Sequence, residues 1–189
     1  LATAVEQDRL ILAWIEGRCL WRQDWRLPQT STHQPTPLAA AQRLSQAGDW
    51  ELADGVLDLP RQRWIGIREI EGRDELVTLA LNATDQTPLL LHQPTDFAGY
   101  GCLSSDGKRF AWVEWQQPAM PWDSSRLWCA EFSDTGALVE PRPLAGGDGL
   151  SVFQPQWLPD GQVLVAEDSS GWWNPVSYTH LTLPTRIFV

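Results

Sequence analysis

FAGYGCLSSDGKRFAWVEW, Phe97–Trp115, decides how the rest of the chain is read, because a shortened form of it returns as VFQPQWLPDGQVLVAED at Val152–Asp168. In each copy an apolar run meets an Asp-Gly pair, Asp106-Gly107 or Asp160-Gly161, and a second apolar run follows at Arg109–Trp115 or Val163–Ala166. Asp-Gly supplies the positive φ angles of a tight β-turn, and the flanking runs carry β-forming residues, so each copy predicts a hairpin.

Working outward, RWIGIRE at Arg63–Glu69 and RLILAWIE at Arg9–Glu16 align on RFAWVEW at Arg109–Trp115. The repeats therefore follow one another at about 45–55 residues, the period of four-stranded propeller blades. The expected fold is all-β: a partial β-propeller of about four antiparallel four-stranded blades, the last incomplete. The blades are placed at residues 1–47, 48–93, 94–148 and 149–174.

Within that frame Cys19–Trp25, Trp50–Asp58, Glu75–Leu81 and Thr87–Leu91 read as further strands. The third repeat is the clearest, with strands at Phe97–Leu103, Arg109–Trp115, Arg126–Phe132 and Pro141–Leu144 and a Ser133–Gly136 turn. Pro28–Pro37 (PQTSTHQPTP) reads as a loop, and its His33 as a solvated residue. Leu38–Leu44 has helix-forming composition and equally suits the strand that closes the first repeat. The pattern fails near Pro175. The ending VSYTHLTLPTRIFV has no Asp-Gly turn and no counterpart upstream, so residues 175–189 are expected to be a non-native tail.

The chain has 189 residues, 43% of them hydrophobic, enough for a core. It opens Leu1-Ala2-Thr3 without Met, so the true start is expected to lie upstream. No apolar run approaches the roughly 20 residues that cross a bilayer, and no membrane partner is expected. A formal charge of −10, from 24 acidic against 14 basic residues without a basic block, argues against a nucleic-acid partner. Cys19, Cys102 and Cys129 are too far apart to seed a zinc site or a disulfide framework, which favours a reducing, cytoplasmic setting.

Four kinds of catalytic constellation are missing from the sequence. There is no Gly-x-Ser-x-Gly elbow, and Gly146-Gly147-Asp148-Gly149 lacks the Lys-Ser/Thr of a phosphate loop. His33, His92 and His180 have no metal-ligand spacing, and the carboxylates lie mostly in turns. No catalytic residue, metal or cofactor is assigned. What stands out is tryptophan, with 12 copies. Trp14, Trp64, Trp112, Trp128 and Trp157 fall in strand runs, where large flat side chains pack between blades. Trp122, after Pro118-Ala119-Met120-Pro121, and Trp172-Trp173, after Asp168-Ser169-Ser170-Gly171, fall in loops and suit the walls of a peptide site.

WVEWQQPAMPWDSSRLWCAEF at Trp112–Phe132, GGDGLSVFQPQWLPDGQVLVAEDSSGWWN at Gly146–Asn174 and DGVLDLPRQRWIGIRE at Asp54–Glu69 resemble a known family. It is the N-terminal propeller of bacterial serine peptidases of the prolyl oligopeptidase family, in the acylaminoacyl-peptidase and dipeptidyl-peptidase-like branch. The resemblance covers most of Arg9–Asn174. It implies a propeller capping an α/β-hydrolase domain that carries a Ser-Asp-His triad. None of those triad residues is in this chain, which alone is expected to be inactive. The implied partners are a peptide substrate and that hydrolase domain. No Glu-Glu dipeptide is present, so no amine-binding residue is carried over. Trp122, Asp123, Trp172, Trp173 and Asn174 match family-like segments and are nominated as lining of the cavity between the domains.

Two other function classes share these features. A non-catalytic propeller of the Tol-associated or WD-repeat-like kind, serving as a protein-binding platform, suits the Asp-Gly hairpins equally. A sugar-acid lactonase propeller requires metal-ligating Glu, Asn and Asp at a central channel, and no such set is assembled by the sequence.

Overall fold

The computed structural model describes residues 1–30 and 34–178. His33, His180 and the part of the expected tail from Thr179 onward lie outside the described residues. Among the described residues there is no α-helix; 16 strands form four antiparallel sheets, each built from consecutive strands, which is the partial propeller expected. The chain divides into two compact units, Leu1–Gly99 and a second beginning at Tyr100.

The first unit holds two sheets. In the first, β1 (Ala2–Glu6), β2 (Arg9–Glu16) and β3 (Cys19–Arg26) run in order, and β4 (Thr36–Pro37) and β5 (Gln42–Arg43) both pair with β3. The Leu38–Leu44 segment thus takes its strand alternative: Gln42 and Arg43 pair with Arg22 and Trp21. The second sheet runs β6 (Glu51–Asp58), β7 (Arg63–Ile70), β8 (Arg73–Ala80) and β9 (Leu89–His92), with one 3-10 turn at Leu59–Arg61. The two sheets share one core, including Ile11, Ala13, Leu20, Leu44, Leu57, Trp64, Val77 and Leu79.

The third sheet runs β10 (Phe97–Leu103), whose first residues close the first unit, and then, in the second unit, β11 (Arg109–Trp115), β12 (Arg126–Phe132) and β13 (Leu138–Gly146). The fourth runs β14 (Val152–Trp157), β15 (Val163–Glu167) and β16 (Asn174–Tyr178). Residues 175–178, expected to fall outside the repeat, form β16 and pair with Ala166, Val165, Leu164 and Val163 of β15. One face of β11 and β12 (Ala111, Val113, Leu127, Cys129) packs on Val152, Val163 and Val165. On the same sheet Phe110, Trp112 and Trp128 stack at 5.7 and 6.2 Å.

Both Asp-Gly hairpins form, but by a different division of labour from the one expected. Only the glycines take positive φ, Gly107 at 66° and Gly161 at 84°. Asp106 instead uses its carboxylate, accepting from the Ser104 hydroxyl at 2.5 Å and the Lys108 N–H at 3.0 Å. Asp160 accepts from the Gln162 N–H at 3.1 Å in the same way. The aspartate closes the turn by side-chain hydrogen bonds while glycine alone supplies the left-handed backbone.

A second repeated device was not expected. The first strand of the second, third and fourth sheets carries a left-handed non-glycine residue: Asp54 (φ 36°), Tyr100 (φ 57°) and Gln154 (φ 53°). Strand pairing slips at Asp54 and Gln154, so these are bulges. The next residue is Gly55, Gly101 or Pro155. A methyl group on Gly55 would overlap the Trp64 indole, and one on Gly101 would lie 2.7 Å from Phe110 Cζ. The glycine makes room for the aromatic that follows the hairpin. In the fourth sheet, where Val163 replaces the aromatic, proline stands at that position instead.

Candidate functional site

Antiparallel order fixes which loops share an end of a sheet. In the second unit the β11–β12 loop (residues 116–125), the β13–β14 loop (147–151) and the β15–β16 loop (168–173) all lie at one end, opposite the two Asp-Gly turns. Hydrogen bonds knit them together. Ser125 N–H donates to Leu150 O at 3.0 Å, and Gly147 N–H to Ser125 O at 2.8 Å. Ser151 N–H donates to Asp168 Oδ1 at 2.8 Å. The five nominated residues thus stand at one end of two neighbouring sheets: Trp122 and Asp123 on the first loop, Trp172, Trp173 and Asn174 on or beside the third.

Their side chains divide by role. Asp123 shapes its own loop, accepting from the Met120 N–H at 3.1 Å while its own N–H donates to Met120 O at 2.8 Å. Asn174 does the same for the other loop: its Nδ2 donates to Ser170 Oγ at 2.7 Å and to Trp172 O at 2.9 Å. These two hold loops in shape. The rings are what the loops present: Trp122 is 58% exposed, Trp172 80% and Trp173 50%. The other nine tryptophans are buried or half-buried, so the division into strand and loop tryptophans corresponds to covered and uncovered rings.

Two further aromatics belong to this end. Phe153 on β14 lies 5.4 Å from Trp173, centroid to centroid, and 5.3 Å from Tyr100 on β10, edge to face. A series of three rings therefore runs from the left-handed residue of β10 across the fourth sheet to the β15–β16 loop. Sequence reasoning missed Tyr100 and Phe153, because their contact joins two repeats. The available signal was their alignment: both sit at the left-handed position of a first strand, one as its left-handed residue and the other just before it.

The setting is acidic, with Asp123, Asp148 and Asp168 against Arg126, whose ion pair with Asp148 at 3.3 Å is largely exposed and contributes little. Among the described residues no group of three His, Cys, Asp or Glu side chains is placed to hold a metal ion. Burial pushes the thiols of Cys102 and Cys129 up to about 12, which leaves neither as a thiolate nucleophile near neutrality. The arrangement presents three uncovered tryptophan rings on loops closed by their own hydrogen bonds.

No family model matches the chain, and no curated protein matches it. Solved structures do. The chain is similar to a mutant of puromycin hydrolase complexed with PGG, at 26% identity and a TM-score of 0.74, covering 90% of this chain and 27% of that one. It is similar in fold to prolyl oligopeptidase B from Galerina marginata, at 12% identity and a TM-score of 0.58, over 92% of this chain and 27% of that one. A protein assigned as TolB from Agrobacterium tumefaciens shares the fold at 17% identity and a TM-score of 0.56, over 85% of this chain and 54% of that one. The chain spans about a quarter of the two hydrolases it matches. Its fold is that of a partial propeller, similar to part of puromycin hydrolase in sequence and fold and to part of prolyl oligopeptidase B in fold.

Proposed function

We propose that this chain is the substrate-gating propeller of a serine exopeptidase that hydrolyses short peptides, and that the α/β-hydrolase domain with its Ser-Asp-His triad lies outside these 189 residues. The observation that carries the proposal is the similarity to puromycin hydrolase in both sequence and fold over nine-tenths of the chain. That relative's name adds aminoacyl amides to the substrates worth testing. In this reading the end of the second unit that bears Trp122, Trp172 and Trp173 lines the cavity shared with the hydrolase. Asp123 and Asn174 fix the loops that carry those rings. The rigid sheets exclude folded proteins by size, and the serine of the hydrolase attacks the carbonyl of what enters. We place the protein in the cytoplasm, where its three free cysteines stay reduced.

A second reading, a non-catalytic platform for a protein partner, is favoured by one observation, the fold shared with TolB. The two separate in one experiment. The 189-residue chain and the full product of its gene are assayed side by side on short peptides, puromycin and a folded protein. The peptidase reading expects hydrolysis of the short substrates by the full product alone, with the folded protein untouched. A full product that contains no hydrolase and cleaves nothing overturns it in favour of the platform.

A further inference from the structure

We propose that the ring series Tyr100, Phe153 and Trp173, with Trp172 beside it, is a subsite for the planar aromatic side chain of a neutral or cationic peptide or aminoacyl amide. Calling that ligand a substrate rests on the function proposed above; the binding itself does not.

Tyr100 carries the first step. It is 40% exposed and holds a left-handed backbone, which is costly for a bulky residue. The left-handed position does not require a ring there, since Asp54 and Gln154 occupy the corresponding positions. Glycines stand on both sides of Tyr100, yet the strained position itself is tyrosine. The left-handed position alone thus does not call for the phenol ring, which stands where it meets Phe153.

The second step is the Trp172–Trp173 loop. Gly171 N–H donates to Asp168 O at 2.8 Å, Ser170 Oγ to Trp172 O at 3.2 Å, and Asn174 Nδ2 to both Ser170 Oγ and Trp172 O. Two large rings are therefore held in solvent on a closed loop, an arrangement already organised for binding. The rings of the series meet at 81° and 51°, so they do not cover one another's faces by stacking. A further ring is accommodated edge to face or offset on those faces. The neighbouring Asp123, Asp148 and Asp168 disfavour an anionic ligand, and the aromatic faces favour a cationic one.

The test follows the indole N–H resonances of the full chain by NMR during titration with Phe-Gly-Gly amide, Ala-Gly-Gly amide and N-acetylphenylalanine. The expected result is that the phenylalanine amide shifts the Trp172 and Trp173 signals at concentrations at least tenfold lower than the other two. Tyr100→Gly, which adopts the left-handed backbone without strain, and Trp173→Ala, which removes a half-exposed ring, should each weaken that binding about fivefold. Equal binding of the phenylalanine and alanine amides overturns the proposal, as does indifference to both substitutions. So does a protein-concentration dependence of the same signals that Trp173→Ala abolishes, which would make a second copy of the chain the occupant. Selective binding with no hydrolysis by the full gene product leaves the subsite standing and removes the peptidase reading. Hydrolysis at equal kcat/KM for the phenylalanine and alanine peptides does the reverse.

Discussion

The hydroxyl of Ser125 holds both backbone groups of Val152 at once, accepting from its N–H at 2.9 Å and donating to its carbonyl at 3.0 Å. Ser125 precedes β12 and Val152 opens β14, so one side chain clamps the first strand of the fourth sheet to the third. Asp74 has the corresponding place one repeat earlier. Its carboxylate accepts from the Ala98 N–H at 3.0 Å, and its own N–H donates to Asp96 O at 2.8 Å, as the Ser125 N–H does to Leu150 O at 3.0 Å. The propeller repeat is thus pinned by a short polar side chain just before or at the start of a third strand.

Ser125→Ala leaves the Val152 N–H and carbonyl without that partner in a buried place. The expected loss is about 1–3 kcal/mol, read as a lower urea midpoint, with faster hydrogen exchange at Val152. Because Ser125 also closes the loop that carries Trp122, the indole N–H signal of Trp122 should broaden or shift in the same variant. Unchanged exchange at Val152 would show that the clamp does not hold the strand.

The strands were legible because their signals are local. Arg9–Glu16, Phe97–Leu103, Arg109–Trp115 and Arg126–Phe132 were each read within a single stretch, from β-forming runs bounded by turn residues, and each is a strand with those bounds. The left-handed positions were not legible, because Asp54, Tyr100 and Gln154 share a backbone angle and no residue type. The candidate site divides the same way. The exposed tryptophans followed from their loop context, while Tyr100 and Phe153 meet only through the packing of one repeat on the next.

The room that Gly55 leaves for Trp64 predicts a coupled pair. Gly55→Ala pushes a methyl group into the fully buried indole and is expected to cost about 1–3 kcal/mol in urea unfolding. Trp64→Leu alone is also destabilising, through the burial it loses. In the double variant the methyl group has space, so the combined loss should fall short of the sum of the two. Strict additivity would mean that the glycine serves the bulge and not the ring.

Asp74 gives a pH signature. Burial raises its pKa above the ordinary 3.8, the Ala98 N–H opposes that rise, and the nearby Glu69 charge adds to it. The folded state therefore holds this proton more tightly than the unfolded state. Its stabilising effect is complete below 3.8 and is lost as pH rises through the folded value. Asp74→Asn keeps an oxygen for Ala98 and removes the titration. The stability of the native protein should decline relative to the Asn variant as pH is raised from 3.8 towards neutrality. Urea midpoints of the two that stay parallel across that range would assign the pH dependence to other groups.

Ser151 should respond in the opposite sense to Ser125, although both are small buried hydroxyls at the same end of the second unit. The Ser151 backbone is engaged, its N–H donating to Asp168 Oδ1 at 2.8 Å, but its Oγ is buried with no hydrogen-bond partner among the described residues. Burying a hydroxyl that makes no bond costs free energy, whereas the Ser125 hydroxyl recovers that cost twice over on Val152. Ser151→Ala removes the unbonded oxygen and leaves the Asp168 contact in place. It should therefore be neutral or raise stability by up to about 1 kcal/mol, where Ser125→Ala lowers it. Equal losses for the two variants in urea unfolding would mean that Ser151 Oγ is hydrogen-bonded after all, and that the loops at this end are held by two serine clamps.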